Sequence, residues 1–411
     1  MCALPSASSV PGGLLCEASE LGSADFWVVL ARRLYFFGCG FIRGWKLTDL
    51  GVAGALRLEG RTLGSGWKVL GAVGWDPSTG LSKEIYNGTG GNFSKAYRVE
   101  KDGKHAFLKA IDLTRPLQEP DVMSALLKVS SEHRFEVDIL NVCSGARLDR
   151  IVVALDSGEE RLGPSLHDVV PYLIFELAEG DVRKKIGTID PKLKISWWLR
   201  ALHHAAVGLN QLHSKSITHQ DLKPSNILSF GNEGGFKLGD LGRSTCENKP
   251  GPFDNMIFSG DRSYAPPEIL YNFIIPDVFQ RRQSCDCYML GSMIFYFVSG
   301  SGLTRLMLQR LPVDNLPFLF GGGWQGSYRS ILPVLQSVFS DCLNELELAV
   351  GDSEVGKELV TCARQLSNPD PALRGHPLTR ASSARVYSLE RYVSVFDRLA
   401  KRAAIEARRG V

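Results

Sequence analysis

The 411-residue sequence has no C-x-x-C pair, no long unbroken apolar run and no marked excess of either charge. Each absence excludes a class of protein. The nine cysteines, at 2, 16, 39, 143, 246, 285, 287, 342 and 362, are scattered and odd in number, unlike a disulfide framework. Their one close pair, Cys285 and Cys287, precedes an apolar helical run and reads as packing. Zinc usually takes a second paired cluster, and none follows. A reducing, cytoplasmic compartment is therefore expected. Lys plus Arg total 47 against 44 Asp plus Glu, a net charge of +3, which gives no reason to expect nucleic acid or an anionic membrane as partner. The most apolar early stretch, residues 26–42, is interrupted by Arg32 and Arg33. A membrane span needs about 20 apolar residues, and a secretory leader needs a basic start ahead of its apolar run. The stretch reads instead as a buried or surface-docking part of an N-terminal extension, with no transmembrane segment expected.

What is present describes a folded chain. With 44% hydrophobic residues, 42 Gly and 20 Pro, the length suggests two to three compact units and excludes low-complexity or collagen-like character. Residues 1–70 are rich in Gly, Ser and Leu without a chemical constellation, and are expected to be an extension of unknown role. Residues 67–115 read as short strands around the turn Lys101-Asp102-Gly103, a hairpin signal. Helical spacing follows over 120–142 through Leu126, Leu127, Phe135, Ile139 and Leu140. Strands return at 150–158 and 171–177. From Lys194 onward helices dominate, with Leu199, Leu202, Ala206, Leu209 and Leu212 recurring every three or four residues. A small β-rich half before a larger helical half is an α+β pattern with a cleft between.

The most informative stretch is His219-Gln220-Asp221-Leu222-Lys223-Pro224-Ser225-Asn226. Beyond it, the apolar run 236–238 delivers Asp240-Leu241-Gly242. A carboxylate that takes a hydroxyl proton, a lysine that neutralises a phosphoryl group, and an amide and carboxylate oxygen for hard Mg²⁺ are all within these few residues. The pattern resembles the protein-kinase signature H-R-D-L-x-x-x-N followed by D-F-G.

Flanking residues agree in order. Gly88, Gly90, Gly91 and Phe93 stand at a turn before Lys109 in AFLKAID, similar to a glycine loop and the lysine of V-A-I-K. Glu136, with Glu132 as competitor, has the spacing of a helical glutamate beside apolar anchors. Residues 263–268, 286–291 and 368–374 resemble the A-P-E end of the activation segment, the buried helix after it and the late D-P-x-x-R segment. The resemblance spans about 80–385 and identifies a eukaryotic-like serine/threonine protein kinase.

That resemblance implies a bilobal kinase-like fold over 71–385, with an N-lobe to 175, a C-lobe from 176 and a C-terminal helix over 386–411. It implies ATP and Mg²⁺ as cofactors and a protein substrate with Ser or Thr hydroxyls, the chain itself included. Asp221 and Lys223 would be catalytic. The four loop residues, Lys109, Glu136, Glu176 and Ala178 would bind nucleotide, with Phe175 at the back wall, and Asn226 and Asp240 would hold metal. Glu268 and Arg374 would form a structural ion pair. The competing functions are a pseudokinase-type binding module and a small-molecule phosphotransferase with a kinase-like core.

The sequence departs from the family at Gln220 (usually Arg), Leu241 (Phe), Ser94 (near the third loop glycine), Ala96 (Val) and Asp261 (Thr). Asp261 could bring a second carboxylate to Asp221 or pair with Lys223. His203 and His204, mid-helix without carboxylate partners, are expected to be structural.

Overall fold

The computed structural model describes residues 53–73, 94–381 and 385–409. The chain divides into two units, residues 1–51 and 52–411, and all described residues lie in the second. Gly88, Gly90, Gly91, Phe93 and the apolar stretch 26–42 fall outside the described residues.

The expected hairpin forms between β2 (Ser94–Lys101) and β3 (Lys104–Ile111). Asp102 and Gly103 join them with φ of 52° and 74°, the left-handed pair that matches the twist of adjoining strands. With β1 (Lys68–Ala72), β4 (Ala154–Arg161) and β5 (Val169–Glu176) they build an antiparallel sheet ordered β1-β2-β3-β5-β4. Alternation sends Ala106, Leu108 and Ala110 of β3 into a core with Tyr97, Val99, Val170 and Ile174. Ala55, Leu58, Leu63, Trp67 and Val69 close that core, and the Tyr97 hydroxyl donates to the Ala55 carbonyl at 2.6 Å. Packing of the small lobe thus reaches back to residue 53, ahead of the boundary expected at 71. Ala55, Leu58, Leu63 and Trp67 stand outside the strands and pack against the sheet from the chain ahead of β1.

Helix α1 (Val122–Gly145) begins where the Asp121 side chain accepts the Ser124 amide. It buries Phe135, Ile139 and Leu140 but leaves Leu127 exposed. The large lobe gathers around α2 (Lys194–His213) and α3 (Val278–Ser299), with α4 (Leu303–Arg310), α5 (Tyr328–Val350), α6 (Glu354–Leu366) and α7 (Glu390–Arg409) around them. The five apolar residues that mark α2 are all buried. Helix α7 lays Tyr392, Phe396 and Leu399 into the core, and His203 Nδ1 donates to the Val393 carbonyl at 3.0 Å. Cys285 and Cys287 are buried, free thiols on α3, and burial pushes both well above the usual thiol range. Among the described residues, no helix is long and apolar enough to cross a membrane.

His204 has a structural place as well. Its Nδ1 accepts the Phe236 amide at 3.0 Å, so that nitrogen carries no proton. Gly235 beside it has φ +68°, and a Cβ there would stand 2.4 Å from the ring. Burial, then the Arg150 charge, pull the His204 pKa down to about 3. The unfolded chain binds this proton near pH 6.5 and the folded chain does not. Stability from this group is therefore complete above that pH and falls by about 1.4 kcal/mol per unit as the pH drops towards 3. In His204→Gln, whose amide oxygen can accept the same N–H, urea unfolding should lose this part of its pH slope between pH 6 and 4. Identical slopes would contradict the assignment.

Candidate active site

The site is built where the two lobes meet. On β3, the strand period that buries Leu108 turns Lys109 to the opposite, cleft face. Its ammonium donates to both oxygens of Glu136 at 3.0 Å and to Asp240 Oδ1 at 3.1 Å. Glu136 is buried on α1, one helical turn from Ile139 and Leu140, which fix its direction. Glu132 instead lies 4.0 Å from Arg243, so Glu136 is the partner of Lys109. Burial by itself would lower the Lys109 pKa, but Asp240 and Glu136 together raise it above the usual range. In return, Lys109 holds the Asp240 carboxyl down at about 2. Asp240 has left-handed backbone (φ 58°), and Leu241 behind it is fully buried.

Beneath this triad runs the 219–226 loop. Its backbone is pinned by Asp286 of α3, which accepts the amides of His219 at 2.9 Å and Gln220 at 2.8 Å. The buried carboxylate also meets His213 Nε2 at 2.8 Å. His219 Nδ1 accepts the Asp221 amide at 3.2 Å, leaving Nε2–H to donate to the Gly239 carbonyl at 3.2 Å. One imidazole thus ties Asp221 to the residue before Asp240.

The Asp221 carboxylate faces three donors. Oδ1 accepts the Asp261 amide at 2.8 Å. Oδ2 accepts from Lys223 at 2.9 Å and from the Asn226 amide at 3.2 Å. Asp261 answers the question its sequence position raised. Its backbone, not its carboxylate, touches Asp221. The carboxylate lies 3.8 Å from Lys223 at one oxygen and accepts Ser263 N–H and O–H at the other. Gly260 makes this approach possible, since a Cβ there would meet the Gln220 carbonyl at 2.0 Å. For Lys223, burial is outweighed by Asp221 and Asp261, so its pKa rises and it stays charged.

A cavity of about 320 Å³ joins these groups. Its lining combines the polar Lys109, Glu136, Lys223, Asn226 and Asp240 with the apolar Phe107, Val152, Phe175 and Leu228. The connecting stretch Glu176, Leu177 and Ala178 forms one wall. The Glu176 carboxylate is engaged elsewhere, with Lys237 at 2.7 Å and the Val153 amide at 2.8 Å. Its backbone N–H is engaged as well, donating to the Val153 carbonyl at 3.1 Å. The Ala178 amide makes no hydrogen bond among the described residues. Of the expected nucleotide residues, the structure therefore brings together Lys109, Glu136, Glu176 and Ala178. Sequence reading missed Phe107, His219 and the loop-pinning role of Asp286. The place of Phe107 two before Lys109 was the available signal for the first.

The oxygen donors fit a divalent cation. Asn226 spends its amide N–H groups on the Asp221 carbonyl and carboxylate, and its side-chain oxygen accepts the Ser225 hydroxyl at 3.1 Å with one lone pair left over. Asp240 keeps Oδ2 open, with its side chain 44% exposed. Among the described residues no group of three His, Cys, Asp or Glu clusters as a metal site. Two such oxygen donors suit Mg²⁺, which keeps several waters and needs only one or two carboxylates from a protein.

A five-stranded sheet over a helical lobe, with a lysine–glutamate–aspartate triad above a pinned Asp–Lys–Asn loop, defines the protein-kinase class of bilobal folds. The model of the protein kinase domain matches residues 82–309, more than half of the chain, and the chain belongs to that family. A Wee1-like protein kinase of Arabidopsis thaliana is 33% identical over 126 residues, 30% of this chain and 23% of that protein. The mitosis inhibitor protein kinase wee1 of Schizosaccharomyces pombe is 28% identical over 211 residues, 50% of this chain and 21% of that protein. A probable serine/threonine-protein kinase of Dictyostelium discoideum is 30% identical over 156 residues, 38% of this chain and 34% of that protein. The matches span about a fifth to a third of these relatives' own lengths.

Proposed function

We propose that this chain transfers the terminal phosphoryl group of Mg²⁺-bound ATP to serine or threonine hydroxyls of protein substrates, its own chain included. The observation that carries this reading is Lys109, which meets Glu136 and Asp240 at 3.0–3.1 Å in the cavity that Asn226 and Lys223 also line. The acceptor oxygen bonds to phosphorus, its proton passes to the Asp221 carboxylate, and the bond to ADP breaks. Lys223 offsets charge on the group in flight, and Lys109 holds the phosphate chain from above. Asn226 and Asp240 would hold Mg²⁺, which neutralises phosphate charge when bound. The serine/threonine assignment rests on Lys223 in D-L-K-P-S-N. Domain limits of 71–385 and a glycine loop at 88–93 belong to the same proposal, with the small lobe's packing extended back to 53.

The test is thermal-shift titration of the full chain with ATP, with and without Mg²⁺, beside a labelled-phosphate assay on generic proteins. Stabilisation by ATP should have a Mg²⁺-dependent part that Asp240→Ala abolishes, and label should reach serine or threonine. Nucleotide binding indifferent to Mg²⁺, with no transfer, would favour the pseudokinase-type module.

Turnover without activation-segment phosphorylation is a further expectation. In kinases of this type a phosphate orders that segment through charge-assisted bonds. Here Gln220 lacks the charge to read one, and its amide instead donates to the Arg282 carbonyl at 2.8 Å. The buried Arg282 guanidinium donates to the Asp254 carbonyl at 3.0 Å and lies 3.8 Å from its carboxylate. Ser244, Thr245 and Ser259 are buried, which leaves Ser263 as the exposed Ser or Thr hydroxyl of the segment. Phosphatase treatment and Ser263→Ala should each leave turnover within about threefold. A loss of about a hundredfold after phosphatase, recovered on incubation with ATP, would refute this.

A further inference from the structure

Among the described residues, Phe318 is the one aromatic side chain that stands in solvent, 86% exposed. Its loop holds it there. Leu316 and Pro317 before it are buried, and the chain turns back at once. The Gly322 amide donates to the Pro317 carbonyl and the Trp324 amide to the Leu316 carbonyl, both at 3.3 Å. Gly322 permits that return, since a Cβ there would meet the Leu316 carbonyl at 2.1 Å. Val313 and Leu319 on the same loop are exposed as well. An apolar group fixed in place and left without cover marks a surface that meets another protein.

Beside the loop is a hollow of about 310 Å³, walled by Phe273, Ile275, Tyr328, Leu332 and Tyr387. Rings join the two features. The Tyr271 hydroxyl donates to the Asn315 carbonyl at 2.7 Å, and the Tyr328 ring lies 6.2 Å from that of Tyr271 and 5.2 Å from that of Phe273. Phe318, three residues past Asn315, is within about 11 Å of this joint along the chain. The hydroxyls in the wall are already spent, Tyr328 on the Pro369 carbonyl at 2.6 Å and Tyr387 on the Pro371 carbonyl at 3.1 Å. Charge divides in the same way. Asp314 is on the loop and Arg329 on the rim of the hollow; both are exposed, and neither side chain has a hydrogen bond or ion pair among the described residues.

We propose that this face is the interface of a two-fold dimer, in which Phe318 of each copy enters the hollow of the other and Asp314 of each meets Arg329 of the other. A knob and a hole side by side on one face, with opposite charges beside them, are self-complementary, and a two-fold axis satisfies both contacts at once. Each Phe318 brings about 150–250 Å² of surface. Two such knobs with Val313 and Leu319 make an interface at the small, reversible end of the range.

Sedimentation velocity of the full chain over a dilution series tests this. The parent should pass from monomer to dimer as concentration rises. Phe318→Ser should weaken dimerisation by at least about thirtyfold, the scale on which central aromatic anchors act. Its melting temperature as a monomer should be unchanged, because so exposed a side chain supports nothing within its own copy. Asp314→Arg and Arg329→Asp set like charges against each other, and each should be monomeric alone. Mixed in equal amounts they should form a dimer, because every contact then pairs opposite charges. A parent that is monomeric throughout overturns the proposal and leaves the face to a different partner or segment. A dimer that persists in Phe318→Ser, or charge variants that fail to complement when mixed, overturns it as well.

Discussion

Asp221→Asn is expected to slow phosphoryl transfer by about 10²–10⁴-fold, the contribution of a positioned general base, with ATP affinity little changed. An amide of the same shape cannot take up the hydroxyl proton. Nor can it face all three donors around Asp221: the Asp261 amide, the Lys223 ammonium and the Asn226 side chain. At least one of them would meet an N–H. The effect should therefore appear in kcat, with a small loss of melting temperature. Rapid-quench measurement at saturating Mg-ATP isolates the chemical step. Equal rates in the variant and the parent would remove Asp221 from the mechanism and favour the binding-module reading.

Glu268→Ala is expected to cost about 3–5 kcal/mol of folding stability, the penalty for an orphaned buried charge. Glu268 and Arg374 are 1% and 0% exposed. They join as a fork, Nη1 to Oε1 at 2.5 Å and Nη2 to Oε2 at 2.8 Å. Nε also donates to the Asn368 carbonyl at 3.0 Å, Nη1 to the Ser284 hydroxyl at 2.8 Å, and Tyr288 lies 5.1 Å below the guanidinium. Without Glu268 the guanidinium keeps its neutral partners and loses its counter-charge. Arg374→Ala should cost a comparable amount, because the carboxylate is then the stranded group. The double variant should be less destabilised than the sum of the singles, and urea unfolding of all four proteins measures the coupling. Additive losses would mean that the pair contributes no coupling energy of its own.

The chemistry of the site was legible in the sequence because it resides in short stretches whose geometry is local. Residues 219–226 and 240–242 bring their groups within a few bonds of a turn, and that spacing holds in any fold that accommodates the turn. The same applies to the Asp102-Gly103 hairpin and to the apolar period of α2. The ion pair of Glu268 with Arg374 was also anticipated, though only through family resemblance, since 106 positions separate its members.

Tertiary structure decided what depends on side chains from distant strands meeting. Asp261 touches Asp221 through its backbone because Gly260 permits the approach, which no property of an isolated aspartate reveals. Gln220 is bonded to Arg282 because α3 runs beneath the loop. Residues 53–69 join the small lobe because the sheet leaves an apolar face for them. Phe107 joined the cavity wall only because the strand register of β3 turned it to the same face as Lys109. A sequence states the size of each side chain, but a cavity is the space left when sizes from separate strands are added, and that sum exists only in the folded chain.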